Sequence, residues 1–280
     1  MTTTTPKKPP PPPPSRNGTP AAATQAPVNR TFGVSSGVVA AAHKVVVYGP
    51  GGVGKSELCA NINQVGINPL FIDLEEGSRF IDVDRVQPTP TTWEELRAAV
   101  QADWSSYGAI VIDSLTKAEE LALDWTLRNV PHEKGHYVKS IEGYGFGKGL
   151  THLYETFLQL LGDLDQQARK GMHILCIAHE CTANVPNPQG EDWIRYEPRL
   201  QSPASGKSSI RHRVKEWTDH LAYVGFDTIV DVDGKASGSG TRCIYTTELP
   251  TWWAKSRCLS EPIVYERGSA AFWKSLLGKE

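Results

Sequence analysis

The sequence predicts an α/β fold in which a mostly parallel sheet is flanked by helices and extended by a C-terminal β-hairpin. Three observations carry this. Four short apolar runs are continuous rather than alternating, as strands buried on both faces require. Helical stretches separate them, the pattern of parallel strands joined by crossovers. A glycine-rich loop follows the first run and opens onto a helix.

The first predicted strand is Val45-Val46-Val47-Tyr48. The loop Gly49-Pro50-Gly51-Gly52-Val53-Gly54-Lys55-Ser56 follows, leading into a helix from Ser56 to about Asn63. Leu70-Phe71-Ile72 is the second strand. Thr92 to Trp104 reads as a helix, because Thr92 and Glu95 have capping-box spacing. Ala109-Ile110-Val111-Ile112 is the third strand, followed by a helix from Leu115 to Arg128. A longer helix from Thr151 to Lys170 is closed by Gly171, and Ile174 to Ala178 is the fourth strand. Glu180 to about Lys215 reads as a long irregular connection. Beyond Asp219, the stretches Leu221 to Val232 and Thr241 to Thr247 flank Asp233-Gly234-Lys235 and a Gly/Ser-rich segment, and predict the hairpin.

Residues 1 to about 30 are predicted to be a disordered proline-rich tail, with one domain over residues 31–280. The tail has six consecutive prolines, Pro9 to Pro14, and almost no large apolar groups. Such a segment favours an extended form and cannot bury a core. Lysine plus arginine number 29 against 31 acidic residues, so no overall positive charge announces a polyanionic partner. No apolar window approaches the roughly 18 residues that span a bilayer, and the start lacks a secretion-signal core, which predicts a cytoplasmic protein without a membrane partner. Five scattered cysteines do not form a disulfide framework. His173, Cys176, His179 and Cys181 are close in sequence, but a strand there would send alternate side chains to opposite faces, which disfavours a zinc site.

Gly49 to Ser56 fits G-x-x-x-x-G-K-[ST] in the strand–loop–helix context that the motif needs. Its backbone N–H groups, aided by the positive end of the following helix, can cradle phosphate oxygens. Lys55 would reach the β- and γ-phosphates of ATP and Ser56 would ligate Mg2+, with Glu57 next in the first helical turn. The third strand delivers Asp113 to the same edge, as a candidate to orient magnesium or as a helix N-cap, a role Ser114 could also fill. Glu75 lies just past the second strand and His179 just past the fourth; each could act on the γ-phosphate, and each is also an ordinary edge residue.

Taken together, Gly49 to Ser56, Ile72-Asp73-Leu74-Glu75, Ile112-Asp113-Ser114 and Ala178-His179 resemble the RecA-like P-loop ATPase core. Tyr144-Gly145-Phe146-Gly147-Lys148-Gly149 and Ala254-Lys255-Ser256-Arg257 resemble the phage ATPases of that type associated with single-strand annealing recombination. The resemblance covers roughly Val45 to Pro262. It implies that Glu75 activates water, that Asp113 is the Walker B aspartate, and that His179 stands where RecA carries a glutamine coupling γ-phosphate to its DNA loop. It also implies that Lys255 and Arg257 form a K-x-R pair inserted into a neighbour's active site, hence a homo-oligomer, ring or filament. Surface charge beside Trp252 and Trp253 is an equally good reading of that pair.

Two segments combine charge with aromatics or flexibility, and the resemblance makes single-stranded DNA their expected partner. Lys139, Tyr144, Phe146 and Lys148 belong to the first; Lys207, Arg211 and Arg213 belong to the second. The expected function is ATP hydrolysis on single-stranded DNA in recombination, annealing or repair, in a bacterial or phage-infected cytosol, with a single-strand binding protein as a possible helper. The alternatives are a small-molecule or nucleotide kinase and a nucleotide-gated scaffold.

Overall fold

The computed structural model describes residues 33, 34, 36, 37, 41–204, 206–230 and 236–278. The proline run lies outside these residues. Residues 40–280 gather as one unit, and the elements below all belong to it.

Val45, Val46, Val47 and Tyr48 lie in β1 (Lys44–Tyr48), and all four are buried. The other predicted strands appear as β2 (Pro69–Asp73), β4 (Ala109–Asp113) and β5 (His173–Ala178). A short β3 (Asp84–Arg85) adds a parallel edge beyond β2. One sheet of eight strands runs β10-β9-β8-β1-β5-β4-β2-β3. β8 (His220–Val230) is parallel to β1, while β9 (Ala236–Tyr245) and β10 (Ile263–Val264) are antiparallel additions, which is the predicted C-terminal extension.

The continuous apolar runs have the expected cause. Val46, Ile110, Ile112, Ile174 and Cys176 face one core, shared with α2 (Trp93–Gln101), α3 (Leu115–Asn129), α4 (Lys148–Arg169) and α5 (Ile210–Trp217). Val45, Val47, Val111, Leu175 and Ile177 face the other, shared with α1 (Lys55–Ala60) and α6 (Ala271–Leu277). Each strand thus buries both of its faces.

Helix starts follow the predicted caps. Thr92 and Glu95 form a reciprocal capping box on α2, and Ser114 Oγ accepts from Lys117 N at the start of α3. Two predicted bounds shift. The first helix is α-helical only over Lys55–Ala60 and tightens into a 3-10 turn over Asn61–Val65, and α4 begins at Lys148 rather than Thr151, with Gly147 left-handed before it.

One predicted connection is corrected. Residues 180–215 are not an irregular loop: β6 (Glu180–Val185) and β7 (Trp193–Pro198) pair antiparallel as a separate two-stranded sheet, and α5 starts behind the Ser209 cap. The strands escape prediction because their pattern is not the buried apolar run of the central strands: the apolar positions of β6, Cys181, Ala183 and Val185, are only half-buried, and β7 buries Glu197 while exposing Ile194.

Candidate functional site

The parallel strands end at one edge, and register fixes what meets there. Asp73 pairs with Asp113, Asp113 with Ile177, and Tyr48 with Ala178. Gly49, Glu75 and His179 therefore emerge side by side, one or two residues beyond their strands, at the carboxyl edge where open α/β sheets bind ligands.

The glycine loop is shaped by close approaches. A Cβ on Gly49 would stand 2.0 Å from the carbonyl oxygen of Val224. Gly54 has φ 103°, left-handed, and a Cβ there would press on the Tyr265 hydroxyl oxygen at 3.0 Å. Gly51 and Gly52 are exposed and have open space instead. Lys55 is buried, and its Nζ donates to the carbonyls of Gly49 at 2.8 Å and Pro50 at 2.9 Å. Burial lowers the Lys55 pKa, while Asp113, Glu180 and Glu75 act in the opposite sense.

Ser56 Oγ donates to Asp113 Oδ2 at 2.6 Å. Asp113 is 5% exposed, and its carboxyl is lifted to about 6, chiefly by burial, with the neighbouring charges of Asp73 and Glu75 adding to the effect. Asp73 is committed to its own loop, accepting from the backbone N–H groups of Gly77 and Ser78.

Glu75 is gripped from two elements. Ser114 Oγ donates to its Oε1, and His179 Nε2 lies 3.0 Å from Oε1 and 2.9 Å from Oε2. Ser114 thus caps α3 and orients Glu75 at once, which leaves Asp113 free of the capping role. His179 is fixed in turn, its backbone N–H donating to Thr116 Oγ1.

Glu75, His179 and Asp113 line a cleft of about 830 Å3 together with the loop residues Gly51, Gly52, Gly54, Lys55 and Ser56. A lysine, a serine–aspartate pair and an oriented carboxylate thus surround the mouth of a phosphate-binding loop. The family described as an AAA domain matches residues 41–258. The chain belongs to that family. It is accordingly a P-loop ATPase-type domain, of a kind that generally uses nucleotide and Mg2+.

No curated protein matches the chain. Among solved structures, the flagellar accessory protein FlaH from Methanocaldococcus jannaschii is similar over 81% of this chain and 90% of that one, at 10% identity and a TM-score of 0.37.

The donor set of this AAA domain fits a divalent cation. A hydroxyl and a buried carboxylate converge, and the carboxylate is raised first by burial and then by two neighbouring acids, with Lys55 the cationic group acting against them. A hard cation with oxygen ligands would relieve that repulsion. Ser56 and Asp113 are the residues that would hold Mg2+.

The remaining predicted residues are placed as follows. Lys255 Nζ donates to the carbonyls of Lys215, Glu216 and Thr218, closing the C-terminus of α5, and Arg257 Nε pairs with Asp219 at 2.9 Å; neither lines the cleft of its own chain. Tyr144 is corrected as a stacking residue, because it is 3% exposed and its hydroxyl donates to the carbonyls of Thr126 and Val130. Arg211 is likewise corrected as a free cation, since it bonds Glu197 at 2.7 Å and the Leu200 carbonyl. Lys148 pairs with Glu133. Phe146 is fully exposed at a left-handed φ of 49°, and Lys139, Lys207 and Arg213 are exposed.

Sequence reasoning missed the C-terminal segment that closes over the loop. Tyr265 OH donates to the Gly54 carbonyl at 2.9 Å, and Arg267 Nε pairs with Glu57 at 2.8 Å. Phe80 and Asp82, from the loop after β2, line the far side of the cleft. None of these has a motif; the one local signal is Gly268 ahead of an apolar run.

Proposed function

We propose that this protein hydrolyses ATP while bound to single-stranded DNA, in annealing, recombination or repair, as a homo-oligomer. The observation that carries the hydrolytic part is the grip of Ser114 and His179 on Glu75 beside the Ser56–Asp113 pair. An oriented carboxylate at that place takes the proton of the attacking water, while Lys55 exchanges its loop carbonyls for phosphate oxygens. Mg2+ bound with the nucleotide supplies charge neutralisation for the transferred phosphoryl group.

The DNA part is supported by the surface near the start of α4. Phe146 and Tyr137 expose their rings and Lys139 its ammonium, the combination that stacks bases and neutralises phosphates. His179 runs directly into β6, so a group that touches Glu75 is continuous with the β6–β7 hairpin. Arg257, 67% exposed, is the member of the K-x-R pair accessible to a neighbouring subunit.

The test is phosphate release at low salt with and without an oligonucleotide, and with Lys55→Ala as the blank. Stimulation that fades steeply with salt supports this reading. Phosphate recovered on a nucleoside or metabolite would point to a kinase, and binding without turnover to a nucleotide-gated scaffold.

A further inference from the structure

The first turn of α1 carries an acid where it is electrostatically unwelcome. Glu57 directly follows Ser56, is 22% exposed at its side chain, and lines the cleft that holds Lys55. A carboxylate there sits in the same helical turn whose amides must face a triphosphate of like charge. Its counter-charge comes from far away in sequence. Arg267 Nε lies 2.8 Å from Glu57 Oε2 and itself lines the cleft, with its side chain 64% exposed.

Arg267 is presented by a segment bonded to α1 and to the turns at its two ends. Tyr265 OH donates to the Gly54 carbonyl, Gln64 Nε2 to the Gly268 carbonyl at 2.8 Å, and Trp273 Nε1 to the Leu58 carbonyl at 2.6 Å. Trp273 and Phe272 are each 1% exposed, so this clamp is anchored in the core. It also lies wholly beyond the residues 41–258 that match the AAA domain family.

We infer that Arg267 is a positioning residue for nucleotide affinity: it cancels the charge of Glu57, so that the first turn of α1 accepts a triphosphate. This rests on the reading of the site as ATP-binding. The ion pair is too exposed to matter much for folding. Its effect falls on the bound state, where a third party of the same sign as Glu57 enters the cleft and an uncancelled carboxylate repels it.

The test is a titration of the full chain with a fluorescent ATP analogue and Mg2+, alongside thermal melting of the nucleotide-free protein. Arg267→Ala should weaken binding roughly tenfold, equivalent to about 1.4 kcal/mol, with the melting temperature unchanged. Arg267→Lys should recover most of the affinity. Glu57→Gln combined with Arg267→Ala should bind within about twofold of wild type, since it removes the acid that Arg267 cancels. Unchanged affinity in Arg267→Ala overturns the inference, as does a double variant as weak as the single one, which would make Arg267 a direct nucleotide contact. A Lys55→Ala control separates these outcomes from failure of the ATP reading, in which wild type and Lys55→Ala give the same absence of binding.

Discussion

His179 Nε2 stands within 3.0 Å of both carboxylate oxygens of Glu75, although 104 positions separate the two residues in the chain. They meet because β4 alone lies between β2 and β5 in the sheet, so residues just past the two outer strands converge over the end of the middle one. Ser114 closes the grip from that middle strand.

Removing the imidazole loosens Glu75 without removing it. His179→Ala should therefore lower ATP turnover by roughly tenfold, less than loss of the carboxylate itself, with nucleotide affinity within about twofold of wild type. Steady-state kinetics together with direct nucleotide titration check this. A large loss of affinity with normal turnover would place His179 in binding instead.

Glu119 gives a prediction for stability against pH. Its carboxyl is raised from 4.5 to about 7, mainly by burial, although it accepts from the Gln201 backbone N–H at 2.7 Å. An acid that holds its proton more tightly folded than unfolded favours the fold most below 4.5, and that contribution declines as pH rises toward 7. Glu119→Gln keeps an acceptor for Gln201, so above pH 7 it should be more stable than wild type by about 1–3 kcal/mol, with the difference vanishing in acid. Denaturant melts across that range test the sign.

Lys255 and Arg257 should separate. Lys255 closes α5 through three carbonyls, so Lys255→Ala should cost about 1–2 kcal/mol of stability. Arg257→Ala should melt normally and lose turnover only in the assembled protein. Mixing it with Lys55→Ala protein should restore some turnover at mixed interfaces; no recovery at any ratio argues against a trans role.

Tyr144 and Phe146 should also divide. Tyr144→Phe removes a buried hydroxyl bonded to two carbonyls and should cost about 1–2 kcal/mol in unfolding. Phe146→Ala should leave melting unchanged and weaken binding of a single-stranded oligonucleotide by roughly 1–3 kcal/mol. Equal oligonucleotide affinity in the wild type and Phe146→Ala would move the DNA surface elsewhere.

The parts legible in the sequence are those with a local cause. Residues 45–48, 109–112 and 174–178 announce themselves because burial on both faces demands unbroken apolar runs. Gly49 to Ser56 and the Thr92 cap are visible because each rule spans only a few residues. What stayed hidden depends on tertiary placement. The β6–β7 hairpin forms its own small sheet in which the apolar side of β6 is only half-buried and β7 buries Glu197 while exposing Ile194, and Arg211 loses its freedom to Glu197, which no spacing rule connects to it. Arg267 meets Glu57 across 210 positions, through a clamp whose anchors are two aromatic side chains without a motif.

The most direct measurement is phosphate release from ATP by wild type, Glu75→Gln and Lys55→Ala, with nucleotide binding measured on the same preparations. The account predicts that Glu75→Gln binds ATP normally yet turns over about 10²–10⁴-fold more slowly, as loss of a general base requires, while Lys55→Ala loses binding as well. Wild-type turnover that survives Glu75→Gln would contradict it, because the carboxylate gripped by Ser114 and His179 would then not be the group that activates water.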